Sequence, residues 1–155
     1  MKKILIAALL TAVAGTALAQ QGGLKPEDAI KFRKAGYSFM AWNMGKLKGM
    51  LVDNPASFNK DQALNAALAI QGVANSGMGA LYVEGSDKDV GGQKTRVKPE
   101  LFTDKENVGK VAKAFNFEAN ELAKVAATGD AAALKAQFVK TGETCKGCHE
   151  KFRAD

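Results

Sequence analysis

The chain has 155 residues and a formal charge of +6, from 22 Lys and Arg against 16 Asp and Glu; 46% of it is hydrophobic and 7% aromatic. That composition belongs to a globular domain and excludes disordered and fibrous classes, and only three prolines and two cysteines exclude a collagen-like chain, a proline-rich linker and a disulfide-stapled miniprotein. The Lys and Arg residues are scattered among Asp and Glu along every segment, which describes a solvated surface and not a nucleic-acid footprint.

Met1-Lys2-Lys3, the apolar run Ile4 to Val13 and the small residues ending in Ala17-Leu18-Ala19 read as a secretory signal peptide cleaved after Ala19. The run is too short for a transmembrane span of ~20 residues, and no later segment is apolar enough to anchor the chain in a membrane. The working domain is therefore expected over residues 20–155.

Periodicity from there on is helical, with no alternating β-branched stretch bounded by turn signals. A first helix is predicted from Lys25-Pro26-Glu27-Asp28, with proline and acids in the first turn, to about Val52, before Asp53-Asn54-Pro55 stops it. Spacings of three and four give it the seam Ile30, Arg33, Tyr37, Met40, Met44, Leu47, Leu51. A second apolar edge, Phe32, Gly36, Phe39 and Met50 with Trp42 nearby, lies beyond that seam. A helix apolar on two sides needs two burial partners, so a homodimer is expected, with Gly36 letting the partner helix approach.

A second helix is predicted over about Lys60 to Val83, carrying Leu64, Leu68, Met78 and Leu81. Glu84 to Pro99, with Gly85, Gly91, Gly92 and six charged residues between Asp87 and Lys98, reads as a long surface loop crossing the end of a bundle. The third helix follows the cap candidates Thr103 and Asp104, shows Val108, Val111, Phe115, Leu122 and Val125, and ends at Gly129. The fourth runs from Asp130 through Leu134 and Phe138 to about Arg153. Short connections make the first and second helices, and the third and fourth, antiparallel neighbours. There is no internal repeat. The expected architecture is all-α, an antiparallel up-down four-helix bundle whose helices, about 30 to 40 Å long, enclose an interior site.

The chemistry is concentrated in Cys145-Lys146-Gly147-Cys148-His149. In C-x-x-C-H two thiols one helical turn apart can each add to a vinyl group of haem, while the adjacent imidazole reaches the iron from the same face. A disulfide oxidoreductase needs this pair at a helix N-terminus in a βαβ context, whereas here it lies deep in the last helix. A zinc site lacks ligands, since the chain holds no other Cys or His, and a disulfide three residues apart within a helix is strained.

His149 is the only histidine, so bis-histidine coordination within one chain is impossible. The sixth iron ligand is a methionine, some other group, or absent. Met40, Met44, Met50 and Met78 are equally gap-filling core residues. Arg33 interrupts an apolar stripe: an inward guanidinium needs an anion, and a haem propionate can supply one bidentately; otherwise Arg33 snorkels into water near the helix start. Tyr37 lies one turn further in, where it can cover the haem face opposite His149 or serve as a core aromatic with a wet hydroxyl.

With these residues in view the chain resembles cytochrome c′, a class II c-type cytochrome, over essentially all of residues 20–155. The likeness runs from Lys25-Pro26-Glu27-Asp28-Ala29 and Arg33, through the long loop, to Cys145-Lys146-Gly147-Cys148-His149-Glu150-Lys151-Phe152-Arg153. The C-terminal place of C-x-x-C-H separates this class from class I cytochromes c. Cytochrome c′ is itself a familiar example of the up-down bundle, so the fold expectation is not independent of the resemblance.

The resemblance implies one covalently attached haem c per chain, held in the bundle interior by Cys145 and Cys148. It further implies a periplasmic, usually homodimeric protein with five-coordinate, high-spin iron and His149 as the proximal ligand. Tyr37 and Met40 match distal-pocket positions and Arg33 the propionate-contacting arginine. Arg153 matches a basic residue beside the proximal pocket, although a cation at a helix C-terminus is favourable in any case. Low-spin relatives similar to cytochrome c-556 place a methionine where this chain has Lys34, which implies an open sixth site. Met78 and Leu81 stand where relatives often carry larger aromatics.

The implied function is binding of diatomic gases, nitric oxide and more weakly carbon monoxide, in protection against nitrosative stress. The alternative is a small electron carrier between periplasmic redox partners. A peroxidase reading lacks a distal histidine to act as acid and base, and no turnover reaction is inferred. Tyr37 is expected to exclude ligands by volume, so that Tyr37→Ala strengthens carbon monoxide binding and Tyr37→Phe changes it little.

Overall fold

Pro26 at the first helical position has no amide hydrogen to leave unpaired, and Glu27 and Asp28 sit against the positive end of the helix dipole; α1 starts there and spans Pro26–Lys48. The structure, a computed structural model, describes residues 23–154. The expected leader and its cleavage point lie outside the described residues. α1 continues into a π-helical turn, Gly49–Asp53, closed by the Asn54 amide on the Gly49 carbonyl at 2.9 Å.

Then come α2 (Lys60–Ala74), the short α3 (Glu100–Thr103), α4 (Lys105–Thr128) and α5 (Ala131–Phe152). No strand occurs among the described residues, where Val90 with Gln93 and Val97 with Arg153 form isolated bridges. Asn59, Asp104 and Asp130 cap α2, α4 and α5 by accepting from the amides of Gln62, Asn107 and Ala133. Gly129, at φ +80°, supplies the left-handed turn that reverses the chain between α4 and α5.

α1 packs on α2, α2 on α4 and α4 on α5, while α5 meets the first helix through its π-turn end. The α2 and α4 faces are rich in buried alanine, with Ala63, Ala66, Ala67, Ala119, Ala123 and Ala126 in the core. Small side chains let these two helices approach closely. Ile30, Leu47, Ile70, Leu122 and Leu134 fill the remaining interior.

Two expectations are corrected. The second helix ends at Ala74, not near Val83: Asn75-Ser76-Gly77 breaks it, Gly77 sits at φ +82°, and Met78–Leu81 forms a separate 3-10 turn. Met78 and Leu81 therefore do not continue the face of α2. The second apolar edge of the first helix also loses two members. The π turn inserts an extra residue into the helical register, and both Met50 and Leu51 are buried within it. Gly36 is occupied within the chain, since a Cβ there would lie 2.9 Å from Met78 Cε.

The loop after α2 is fastened at both ends. Its first half converges on the Arg33 side chain of α1. Its second half pairs with the end of α5, where the Lys98 amide donates to the Phe152 carbonyl at 2.9 Å and the Ala154 amide to the Arg96 carbonyl at 2.7 Å. The loop thus crosses the end of the bundle that carries His149.

Candidate functional site

Cys145, Cys148 and His149 occupy the last two turns of α5. A separation of three residues puts the two sulfurs one turn apart on one helix face. Both cysteines are free and half-buried. Burial pushes both thiols up, and for Cys145 the neighbouring Cys148 adds to it, so both are protonated at neutral pH. Burial, helped by Arg153 and Arg96, holds His149 below the usual histidine value. A neutral imidazole results, the form that ligates metals.

Arg153 lies one turn after His149 and places Nη1 3.3 Å from His149 Nδ1. A guanidinium has only donors, so in this arrangement Nδ1 accepts. Lys98, His149, Glu150 and Arg153 line a hollow of about 290 Å³. Lys98 Nζ donates to the Glu150 carbonyl at 3.3 Å. Arg153 therefore does more than complement the helix end: the structure sets it directly beside the imidazole.

On α1, Arg33 is 3% exposed. Its Nη1 donates to the Leu81 carbonyl at 3.3 Å and to Ser86 Oγ at 2.8 Å, and its Nη2 donates to the Ser86 carbonyl and to Thr95 Oγ1 at 2.7 Å. The guanidinium does not snorkel into water. All four terminal N–H groups go to neutral oxygens of the loop, and Nε is the donor left for a carboxylate. Burial lowers the Arg33 pKa, opposed by Tyr82, Tyr37 and Asp87, and the group stays charged.

Tyr37 follows one turn later. Its hydroxyl forms a 2.8 Å hydrogen bond with the Tyr82 hydroxyl. Tyr82 itself packs against the Arg33 guanidinium, 5.0 Å from Cζ to ring centroid, and meets Phe102 edge-on at 6.5 Å. Burial raises both phenols. Cys148 and Cys145 lie near enough to raise Tyr37 further, and Cys148 acts on Tyr82 as well. The Arg33, Tyr37, Tyr82 cluster and the Cys145 to His149 segment thus share one end of the bundle. Met40, expected beside Tyr37, is 6% exposed and packed into the core cluster.

Sequence reasoning missed Tyr82, Ser86 and Thr95. Ser86 and Thr95 carry no local signal, because their partner is 53 and 62 residues away. Tyr82 does carry one: it is one of only two tyrosines, and the Gly77 and Gly79 pair before it argues against a helix running through it.

These residues fit a covalently held haem. Two free, half-buried thiols stand one turn apart, a neutral imidazole adjoins them, and an arginine with a spare donor lies at the same end. A structural zinc ion needs about four ligands, and no group of three or more His, Cys, Asp or Glu among the described residues could hold a metal ion.

Comparison with known proteins gives the same direction. The family model for cytochrome C' matches residues 28–153. The chain is 56% identical over 129 residues to cytochrome c' of Rhodocyclus tenuis, covering 83% of this chain and 96% of the relative. To cytochrome c' of Allochromatium vinosum it is 53% identical over 148 residues, covering 96% and 94%. A solved cytochrome c', described as having an unusual ligand-controlled dimer dissociation, superposes with a TM-score of 0.82 at 55% identity, covering 86% of this chain and 99% of that one.

Proposed function

The chain belongs to the cytochrome c′ family, and we propose that it is an exported, periplasmic protein that binds small diatomic gases, nitric oxide foremost, and so protects against nitrosative stress. As in its family, the cofactor is covalently attached haem c. Cys145 and Cys148 are the thioether attachment points, and His149 is the axial ligand on that side. When bound, the group supplies an iron centre with one position open to a diatomic ligand.

The observation that carries this reading is the fate of the methionines. Met40 and Met50 are buried in the core, Met44 packs against it, and Met78 is seated over Gly36. Each is committed to packing. With His149 the sole histidine, this favours a sixth position without a protein ligand, and the side chain offered there is Tyr37. Arg33 then both fastens the loop and offers Nε to a propionate, while Arg153 flanks His149 on the proximal side. An electron carrier works best when coordination barely changes, so an open position favours gas binding over that alternative.

A homodimer through α1 is part of the same reading. Phe32, Phe39 and Trp42 stay 51%, 47% and 60% exposed, and the relative with 55% identity is a dimer that a ligand dissociates. Export rests on the leader residues 1–19; among the described residues no helix is long and apolar enough to cross a membrane.

Mass spectrometry of the denatured protein and optical spectroscopy of the folded one test the proposal together. A haem-sized mass increment on the peptide holding Cys145 and Cys148, high-spin ferric and ferrous spectra, and uptake of nitric oxide and carbon monoxide are expected. A peptide without the increment overturns the attachment. A low-spin spectrum indifferent to both gases overturns gas binding and favours the electron carrier.

A further inference from the structure

Tyr37 is 38% exposed, and a ring packed on one side of a helix has rotameric freedom unless something holds it. Its hydroxyl is held by Tyr82 at 2.8 Å. Tyr82, unlike Tyr37, is braced from several directions. The Arg33 guanidinium lies over its ring and Phe102 meets its edge. Its amide donates to the Gly79 carbonyl at 3.2 Å, closing the 3-10 turn, and the carbonyl just before it, that of Leu81, accepts from Arg33. Arg33 also grips Ser86 and Thr95 further along the loop. The chain's only two tyrosines are therefore bonded to each other, one on a helix, the other on an anchored loop.

We infer that Tyr82 is a positioning residue for ligand entry: through its hydroxyl it latches the Tyr37 ring over the ligand side of the site, so a diatomic molecule must break this bond before it can enter. The inference rests on the gas-binding reading above. It also changes an expectation drawn from volume. If Tyr37 excluded ligands by bulk alone, Tyr37→Phe would leave affinity unchanged. With a latch, Tyr37→Phe and Tyr82→Phe both free the ring while preserving its volume. One hydrogen bond between neutral groups corresponds to about two- to tenfold in affinity.

Carbon monoxide affinity and association rate of the ferrous haem protein are compared for the wild type, Tyr37→Phe, Tyr82→Phe, the double variant, Tyr37→Ala, and Tyr37→Ala combined with Tyr82→Phe. Both single Phe variants are expected to raise affinity by about two- to tenfold, and the double variant to gain nothing beyond either, since both remove the same bond. In the Tyr37→Ala background, Tyr82→Phe is expected to be silent. Tyr82→Phe keeps its ring against Arg33 and Phe102, and Tyr37→Phe removes the bond from the other side, so a folding defect in one leaves the other to decide.

Ultraviolet resonance Raman of the unliganded protein supplies a readout independent of gas binding. Each single variant leaves one tyrosine, whose bands should lose the hydroxyl hydrogen-bond signature. Tyr82→Phe and Tyr37→Phe affinities equal to wild type, additive effects in the double variant, or Tyr82→Phe acting undiminished in the Tyr37→Ala background each overturn the latch and leave gas binding standing. A wild type that takes up no carbon monoxide overturns the functional reading and the latch with it, whatever the tyrosine bands show.

Discussion

Arg33 shows what a single position in a sequence can and cannot reveal. Its place in the seam Ile30, Arg33, Tyr37, Met40 marks it as buried, and it is. Its partners are not legible there, because Leu81, Ser86 and Thr95 are brought to it only by the path of a loop. The same holds for Tyr37, whose helix position is clear in the sequence and whose hydroxyl partner lies beyond a helix end that periodicity conceals. Arg33→Met should leave Ser86 Oγ, Thr95 Oγ1 and two backbone carbonyls without their donor. Each orphaned buried polar group costs about 1 to 3 kcal/mol, so a lowered thermal midpoint and faster proteolysis within residues 81–95 are expected. Arg33→Lys should recover little, since one ammonium cannot span four acceptors spread over two nitrogens.

Between residues and fold, helix starts are legible and one helix end is not. Asp104 and Asp130 announce α4 and α5 because a side-chain acceptor must stand where the first amides lack partners. Gly129 announces the reversal between them. The end of α2 is obscured because Met78 and Leu81 keep the helical spacing past Gly77, and spacing alone does not register a glycine that has turned left-handed. Gly129→Ala should destabilise the protein by about 1 to 2 kcal/mol, the cost of an L side chain in that conformation, and urea unfolding midpoints measure it. Steric contact adds little, because the new Cβ meets the flexible end of Lys60.

Asp104 gives this scale a pH dependence. Its hydrogen bonds from the Asn107 side chain and amide hold its pKa below the usual aspartate value. A carboxylate lowered on folding stabilises the protein above its unfolded pKa, and that contribution is lost as pH falls through the folded value. Asparagine caps nearly as well and does not titrate. Urea titrations across the acid range should therefore show the wild type more stable than Asp104→Asn near neutrality, with the gap closing as the pH drops below the carboxylate range. A gap independent of pH would assign the cap no charge component.

For the whole molecule, the bundle and the shared end of α1 and α5 follow from the sequence, but the exposed face of α1 is narrower than its helical pattern implies. Gly36 faces Met78 and Met50 turns inward, which leaves Phe32, Phe39 and Trp42 as the exposed aromatic stripe of α1. Phe39 and Trp42 pack together with centroids 5.8 Å apart, and Lys46 Nζ covers the Trp42 ring at 4.3 Å. In a two-fold dimer each residue of this stripe is buried twice. Fully burying a phenylalanine contributes about 1.5 to 3 kcal/mol; Phe39 is already about half buried, so with two copies Phe39→Asp should remove about 1.5 to 3 kcal/mol in all, raising the dissociation constant by roughly one to two orders of magnitude. Sedimentation at micromolar concentration should then find monomers, with the haem spectrum unchanged because the stripe lies away from the seam. Phe117→Asp, at a still more exposed aromatic on α4, should leave the proposed dimer intact, and Gly36→Ala should as well, since its neighbour is Met78 of the same chain. Monomers in the Phe117 variant but not in the Phe39 variant would move the interface from α1 to α4.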